Sequence, residues 1–313
     1  MVATNDTFPV TNNISPLPLR QLCYSGRNGG DGVKLGFGKK RKNKPEGETS
    51  TPAAQETPSH APQLVVSAVS LLGGRTTQQD ALDYRLLPDG TLAAAVCDGM
   101  GGLNGGEQAS RAACSGFFQA YAQTNRKEPP DLDALARRLD RRVAALNDAD
   151  GRPLDGGSTI VAAIVNGSRF HWLSVGDSRI GLVRGGTFRW LNRLHNYQLE
   201  LDEAFRAGEL SREEYRAELP KGRALLSYLG CGGLKYIDTQ QNLPWSPGDR
   251  LLLCSDGFSE LLSQQELLEL LLNLKGGPAE LSGALLPYLD AKGTSADNAS
   301  AIVIQYSDKE RER

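Results

Sequence analysis

The stretch STIVAAIVNGSRFHWLSVGDSRIGLVRGG, residues 158–186, decides the fold because it contains three short apolar segments separated by turn residues. The segments are STIVAAIV, RFHWLSVGD and RIGLVRGG. β-Branched and apolar runs of this length, broken by Asn, Gly and Asp, are typical of strands joined by tight turns. We therefore predict three consecutive antiparallel strands in a meander.

Apolar patterns on both sides of this stretch predict the other elements. Upstream, DYRLLPDGTLAAAVCDG predicts a hairpin that turns at Pro88-Asp89-Gly90. Further strands are predicted at residues 64–72, 250–257 and 299–306. Apolar residues at helical spacing predict helices at 105–123, 132–146, 264–274 and 279–289. The order of these elements along the chain indicates an α+β fold, with antiparallel sheets and helices packed outside. Strands come first, followed by two helices, more strands, two more helices and a final strand.

The bulk composition excludes several classes of protein. The chain has 313 residues, of which 39% are hydrophobic and 23% charged, and a formal net charge of −2. This is ordinary globular composition, and the balanced charge gives no reason to expect a nucleic acid partner. No segment approaches the roughly 18 consecutive apolar residues of a membrane span. The five cysteines without a CxxC pair fit a reducing compartment, and a cytoplasmic location is expected by default. We also expect a monomer.

The composition also divides the chain. Residues 1–61 lack sustained apolar periodicity, which predicts a disordered, low-complexity tail. Within it, GKKRKNK at residues 38–44 is either a solvated charge run or a docking site for acidic lipid, nucleic acid or a partner protein. A globular domain is predicted at 62–308, followed by a charged end at 309–313.

Aspartates recur at the ends of the apolar strands. AAAVCD ends at Asp98, HWLSVGD at Asp177 and LLLCSD at Asp256, while Asp297 stands just before the last strand. If neighbouring strands bring these ends together, the carboxylates converge and require bound cations to remain ionised. Ligation by oxygen alone favours Mg²⁺ or Mn²⁺. The alternative is that each aspartate merely closes a strand as part of a turn.

An ordered set of motifs resembles the metal-dependent protein phosphatases, the PPM or type 2C family. The motifs are RTTQQD (75–80), DGMGG (98–102), GGST (156–159), VGDSR (175–179), LLLCSDG (251–257) and ADN (296–298). The resemblance covers roughly residues 63–307. It implies a four-layer α-β-β-α sandwich, in which helix pairs flank two antiparallel β-sheets and a dimetal site lies at one end. Met100, where animal members commonly carry histidine, resembles the bacterial members.

The resemblance implies a set of metal ligands. Asp98 would bridge two divalent cations, Mn²⁺ or Mg²⁺, and the Gly99 carbonyl would ligate one of them. Asp256 and Asp297 would complete the ligands of the second cation. Asp177 matches the position that ligates a third, weaker metal in bacterial members.

Other positions would serve the substrate and its surroundings. Arg75 matches the arginine that binds the substrate phosphate, and Asp80 would hold metal-bound waters. Glu260 replaces the aspartate that many members have after SDG. Residues 192–222 resemble the family's flap, which is expected to be mobile and to carry substrate choice. His195 resembles the histidine that opens this flap, where it would either contact substrate or hold local structure.

Together these features predict hydrolysis of phosphoserine or phosphothreonine by attack of a water activated by two metals. The resemblance implies phosphorylated protein substrates and opposition to a serine/threonine kinase. Two alternatives stay open: a catalytically silent phosphatase-like regulatory or scaffold module, and a phosphatase of a small phosphorylated metabolite. The retained carboxylates argue against the silent module, because it has no physical need to concentrate negative charge.

Overall fold

The computed structural model describes residues 63–102, 105–125, 128–275, 277 and 279–307. The predicted disordered tail, its basic cluster and the charged C-terminal end lie outside the described residues. The strands are β1 (Gln63–Leu71), β2 (Ala81–Leu86), β3 (Leu92–Cys97), β4 (Gly99–Met100), β5 (Gly157–Ser158), β6 (Ile160–Asn166), β7 (Arg169–Val175), β8 (Arg179–Arg184), β9 (Thr187–Trp190), β10 (Asp238–Pro244), β11 (Arg250–Cys254) and β12 (Ala299–Ser307). The helices are α1 (Gly105–Ala122), α2 (Leu132–Ala144), α3 (Tyr197–Ala207), α4 (Arg212–Glu218), α5 (Asp256–Ser259), α6 (Gln264–Asn273) and α7 (Glu280–Lys292), with a 3₁₀ turn at Leu219–Lys221.

Within these residues the strands form two antiparallel sheets of five strands and one short pair. The first sheet has the order β1-β12-β11-β8-β9, and the second has the order β10-β7-β6-β3-β2. Strands β4 and β5 form the short pair. Every neighbouring pair is antiparallel, as the alternating strands and short turns predict.

The apolar side chains separate into three layers of core. One face of β3, β6 and β7 packs on α1 and α2, and their other face packs on β8, β11 and β12 of the opposite sheet. The outer face of β11 and β12 packs on α6 and α7. The period-2 alternation of a strand produces this division, since successive side chains point to opposite sheet faces. The predicted α-β-β-α sandwich is therefore confirmed.

Local sequence signals fix the starts of several helices. The Asp131 side chain accepts from the Ala134 N–H at the start of α2. Helix α6 begins with a capping box, in which Ser263 and Glu266 satisfy each other's backbone N–H groups. Both helices lie within two residues of their predicted bounds. Among the described residues, none of the helices has the length and apolar character needed to cross a membrane.

The predicted meander is wrong at its third strand. Strands β6 and β7 pair as expected, but β8 pairs with β11 in the other sheet. The chain changes sheets at Gly176, whose φ of 103° is readily adopted only by glycine. A β-carbon here would also lie 2.6 Å from Thr159 Cγ2. The bend therefore directs the chain across the sandwich instead of back along β7.

This topology gathers the strand-terminal aspartates at one end of the molecule. The last residue of β3, Cys97, pairs with the first residue of β2, so Asp98 lies beside Asp80. The last residue of β11 pairs near the start of β12, which brings Asp256 close to Asp297. Because antiparallel neighbours run in opposite directions, the end of one strand and the beginning of the next share an edge.

Replacing Phe170 by alanine should lower the free energy of unfolding by about 3–5 kcal/mol. Its ring is fully buried between the sheets and packs edge-on against Trp245, with 5.5 Å between the ring centroids. Urea denaturation followed by circular dichroism measures the change. The control is Leu86→Ala, because Leu86 is 60% exposed and its truncation should change stability by no more than about 0.5 kcal/mol. Equal losses from both variants would contradict this assignment of the core.

Candidate active site

Asp98 follows β3 directly, and hydrogen bonds fix its backbone on both sides. Its N–H donates to Thr159 Oγ1 at 3.0 Å, and the Thr159 N–H donates to the Asp98 carbonyl at 2.8 Å. Thr159 Oγ1 also lies 2.7 Å from the hydroxyl of Ser178. These bonds join three of the sequence motifs, DGMGG, GGST and VGDSR, around one backbone position.

The glycines that follow two of the aspartates allow close backbone contacts. A β-carbon on Gly99 would lie 2.1 Å from the carbonyl oxygen of Gly106, in the first turn of α1. A β-carbon on Gly257 would lie 2.1 Å from the carbonyl oxygen of Asn298. Only a residue without a side chain fits at either position, so the Asp-Gly pairs are required by packing as well as by turn formation.

The carboxyl groups lie close enough to perturb each other. Burial raises the pKa of Asp98 well above its usual value, and the charges of Asp80 and Asp256 and a hydrogen bond shared with Asp256 add to this effect. Burial followed by the charge of Asp256 raises the pKa of Asp177 to about 7. Asp98 and Asp256 therefore lie near each other, although they follow strands of different sheets.

Asp80 lies just before β2 and belongs to the same cluster. Its Oδ2 accepts from the Ser255 hydroxyl at 3.0 Å. Burial raises the pKa of Asp80 to about 6, although hydrogen bonds from Ser300 and Ser255 act in the opposite direction. Among the described residues, the buried Oδ1 atoms of Asp80 and Asp256 have no hydrogen-bond partner. Unused buried carboxylate oxygens are suitable ligands for a hard divalent cation.

The donor atoms of the cluster suit such cations, because they are carboxylate oxygens. The side chains, however, do not converge on one point. In the described part of the chain, no three His, Cys, Asp or Glu side chains are arranged to hold a metal ion as they stand. The Asp297 carboxylate is paired with Arg75, whose Nη2 lies 2.6 Å from Oδ2. Ligation by Asp297 would therefore require it to exchange this partner for a cation.

Asn298 is an important residue to which the sequence reasoning assigned no role. Its buried amide accepts from the Gln79 N–H at 2.8 Å and donates to the carbonyls of Leu72 and Thr77 at 2.9 and 3.1 Å. These three bonds tie the loop between β1 and β2, which carries Arg75, to the start of β12. The sequence feature that could have indicated a role for Asn298 is its place in the ADN motif.

A cleft of about 510 Å³ opens beside the carboxyl cluster. Its charged lining consists of Arg75, Arg223, Asp256, Glu260, Lys292 and Asp297. The Arg75 side chain is 52% exposed, so its guanidinium can reach a ligand in the cleft. A guanidinium offers paired donors that match the oxygens of a phosphate group.

His195 lies at the base of the predicted flap and is fully buried. Its Nδ1 accepts from the Gly176 N–H at 3.1 Å, and its Nε2 lies 3.3 Å from Asp238 Oδ1. A fully buried ring cannot contact a substrate, so the structure favours the local structural role over substrate contact. Asp238 and Arg193 complete the arrangement, with Arg193 Nη2 2.7 Å from Asp238 Oδ1. Burial opposes the ionisation of Asp238, but the close contacts of His195 and Arg193 outweigh it and lower its pKa.

The flap itself contains α3, α4 and the 3₁₀ turn, and its two ends lie side by side. The Tyr197 N–H donates to the Ala224 carbonyl at 2.8 Å, and the Gln198 N–H donates to the Gly222 carbonyl at 2.9 Å. Beyond this closure, Arg223 Nη2 pairs with Glu260 Oε1 at 2.9 Å. This ion pair connects the end of the flap to the turn that carries Asp256.

Comparison with known proteins agrees with this geometry. Residues 72–274 match the family model described as "Protein phosphatase 2C". A serine/threonine phosphatase, stp, of Listeria welshimeri is 30% identical over 216 residues, which is 67% of this chain and 82% of that protein. The serine/threonine protein phosphatase PstP of Mycobacterium tuberculosis is 29% identical over 225 residues, 70% of this chain and 41% of that protein.

Solved structures agree at the level of the fold. The serine/threonine phosphatase of S. agalactiae superposes with a TM-score of 0.66 at 24% identity, over 78% of this chain and 100% of that chain. MsPP, a PPM Ser-Thr phosphatase of Mycobacterium smegmatis, has a TM-score of 0.58 at 25% identity, over 77% of this chain and 98% of that chain. The chain therefore belongs to the protein phosphatase 2C family, in its bacterial group of serine/threonine protein phosphatases.

Proposed function

We propose that the chain hydrolyses phosphoserine and phosphothreonine on proteins, with its carboxyl cluster holding two divalent cations. The observation that carries this proposal is the buried approach of Asp98 to Asp256, from opposite sheets, with one Asp256 oxygen left without a partner. Such an arrangement is costly without a cation, because buried like charges repel each other. A catalytic domain at residues 62–308 would contain the whole arrangement.

The proposed ligands are those that the sequence motifs indicated. Asp98 would hold both cations, the Gly99 carbonyl would ligate one, and Asp256 and Asp297 would ligate the other, with Asp177 available to a weaker third ion. When bound, two cations lower the pKa of a water towards neutrality and offset the charge of the phosphate. The all-oxygen donor set favours Mg²⁺ or Mn²⁺ over softer metals.

The remaining proposed roles belong to the chain itself. Arg75 would exchange Asp297 for the oxygens of the substrate phosphate, because its exposed guanidinium lines the cleft. Asp80, held by the Ser255 hydroxyl at 3.0 Å, would orient the waters of the site by accepting their protons in hydrogen bonds. Both roles require the loops around the cluster to be rigid, which the three hydrogen bonds of the Asn298 amide support.

A protein substrate is the class that the cleft favours. Its charged rim is largely exposed, with side-chain exposures of 82% for Arg223, 53% for Glu260 and 43% for Asp297. An open rim admits an extended peptide, whereas a metabolite is usually enclosed. Phosphoserine and phosphothreonine are produced by kinases, so the enzyme would oppose a serine/threonine kinase. The proposal places it in the cytoplasm as a monomer.

Hydrolysis of p-nitrophenyl phosphate and of a phosphothreonine peptide should require Mn²⁺ or Mg²⁺. Asp98→Asn and Asp256→Asn should each reduce kcat by more than about 100-fold, since each removes a charge that the cations need. Steady-state kinetics with and without EDTA measure this dependence. Asp150→Asn is the control, because its side chain is 71% exposed and does not line the cleft. Full activity in excess chelator would refute the mechanism.

Mn²⁺ should raise the melting temperature by about 5 °C or more at saturating concentration, because it binds only the folded cluster. In chelator, Asp98→Asn should be more stable than the wild type by about 1–2 kcal/mol, since it removes a buried like charge. The same variant should lose the Mn²⁺-dependent shift. Thermal denaturation measures both effects. A wild-type shift without turnover would instead indicate the silent module.

Arg75→Gln should lower kcat/KM for p-nitrophenyl phosphate by about 10- to 100-fold, through the loss of charge-assisted hydrogen bonds to phosphate. The kcat/KM of Arg75→Lys should lie between those of the wild type and Arg75→Gln, because lysine keeps the charge but not the paired donors. Calorimetric titration should show Mn²⁺ affinity undiminished in Arg75→Gln, since Asp297 loses a competing partner. A loss of Mn²⁺ affinity in this variant would argue that Arg75 supports the metal site and not the substrate.

A further inference from the structure

The cleft beside the carboxyl cluster has a distinctive balance of charge once the proposed cations are considered. The described residues that line it include three cationic side chains and three carboxylates. Two of the carboxylates, Asp256 and Asp297, are proposed metal ligands, so divalent cations would neutralise them. Glu260 then remains as the single carboxylate facing Arg75, Arg223 and Lys292. A cleft with this excess of positive charge attracts anionic groups.

Arg223 is positioned to contact a substrate at the flap side of the cleft. Its backbone is held between two fixed neighbours, since the Gly222 and Ala224 carbonyls accept from the start of α3. Its side chain is 82% exposed, and its Glu260 partner is 53% exposed. Ion pairs exposed to this degree are weak and are readily exchanged. A fixed backbone with an exposed guanidinium, whose ion pair with Glu260 can be exchanged, suits the recognition of a substrate carboxylate.

Lys292 provides a second cation in the lining of the cleft, from the last turn of α7. Its Nζ lies 2.6 Å from Glu266 Oε2, and its side chain is 43% exposed. Glu266 does not line the cleft, and its Oε2 also accepts from the backbone and hydroxyl of Ser263. The carboxylate that holds Lys292 is thus shared with a helix cap. An ammonium has three N–H donors, so Lys292 can keep this partner and still bind another anion.

We propose that this cleft binds an acidic segment of the substrate next to its phosphorylated residue, and that Arg223 and Lys292 determine this preference. The inference rests on the proposed phosphatase function, because it requires the phosphate itself to lie at Arg75. Aspartate or glutamate side chains near the phosphoresidue would then pair with Arg223 from the flap and with Lys292 from α7. Sequence preference would thereby be set outside the metal cluster, by two residues that hold neither cation.

The test compares two phosphothreonine peptides of equal length, one flanked by Asp and Glu and the other by Asn and Gln. In Mn²⁺ the wild type should show a kcat/KM about fivefold or more higher for the acidic peptide, mainly through KM. Arg223→Gln and Lys292→Gln should each reduce this ratio by about threefold, and Arg223→Lys should retain most of it. High salt should reduce the wild-type ratio, since exposed charges are screened.

The control is Arg152→Gln, which removes an exposed arginine that does not line the cleft and should leave the ratio unchanged. Equal kcat/KM for the two peptides, a preference for basic flanks, or an unchanged ratio in both cleft variants would overturn the inference. Hydrolysis of p-nitrophenyl phosphate without an acidic preference would overturn this inference alone. Failure to hydrolyse any of the substrates would overturn the proposed function and this inference with it.

Discussion

Repulsion between the carboxylates at the end of the sandwich is the constraint on which the rest of the structure depends. Asp98 and Asp256 follow strands of different sheets, yet they lie near enough for the charge of Asp256 to raise the pKa of Asp98, in addition to the effect of burial. Bringing buried charges of one sign together costs several kcal/mol per ion. The apolar layer between the sheets, with Phe170 and Trp245 fully packed, must supply the burial energy that holds the strands in this register.

The groups immediately around the cluster are mostly neutral, and this is physically significant. Hydroxyls of Thr159 and Ser255 and the amide of Asn298 fix the backbone and Asp80 without supplying positive charge. A lysine or arginine at these places would neutralise the carboxylates and remove their need for cations. Among the described residues, Arg75 pairs with Asp297 of the cluster. It lies at the exposed rim, where its partner can be exchanged for an incoming anion.

Sequence reasoning succeeded where the determining signals are local. The hairpin at Pro88-Asp89-Gly90 and the helix pairs follow from turn chemistry and periodicity, and the strand-terminal aspartates follow from the same patterns. The change of sheet after β7 was missed, because a glycine before an aspartate fits a hairpin as well as a crossing. The partners of Asn298 lie 219 to 226 residues away, so only the fold reveals what its amide does.

Helix α3 and strand β10 were missed for a related reason, because few of their side chains are buried. Helix α3 buries only Leu201 among its described residues and lacks a side-chain cap, while β10 is a largely exposed polar edge strand along β7. Their order instead comes from polar links, as His195 and Arg193 converge on Asp238. A segment anchored in this way at its base can vary along its exposed length without disturbing the carboxyl cluster, which separates the residues that read a substrate from those that carry out the chemistry.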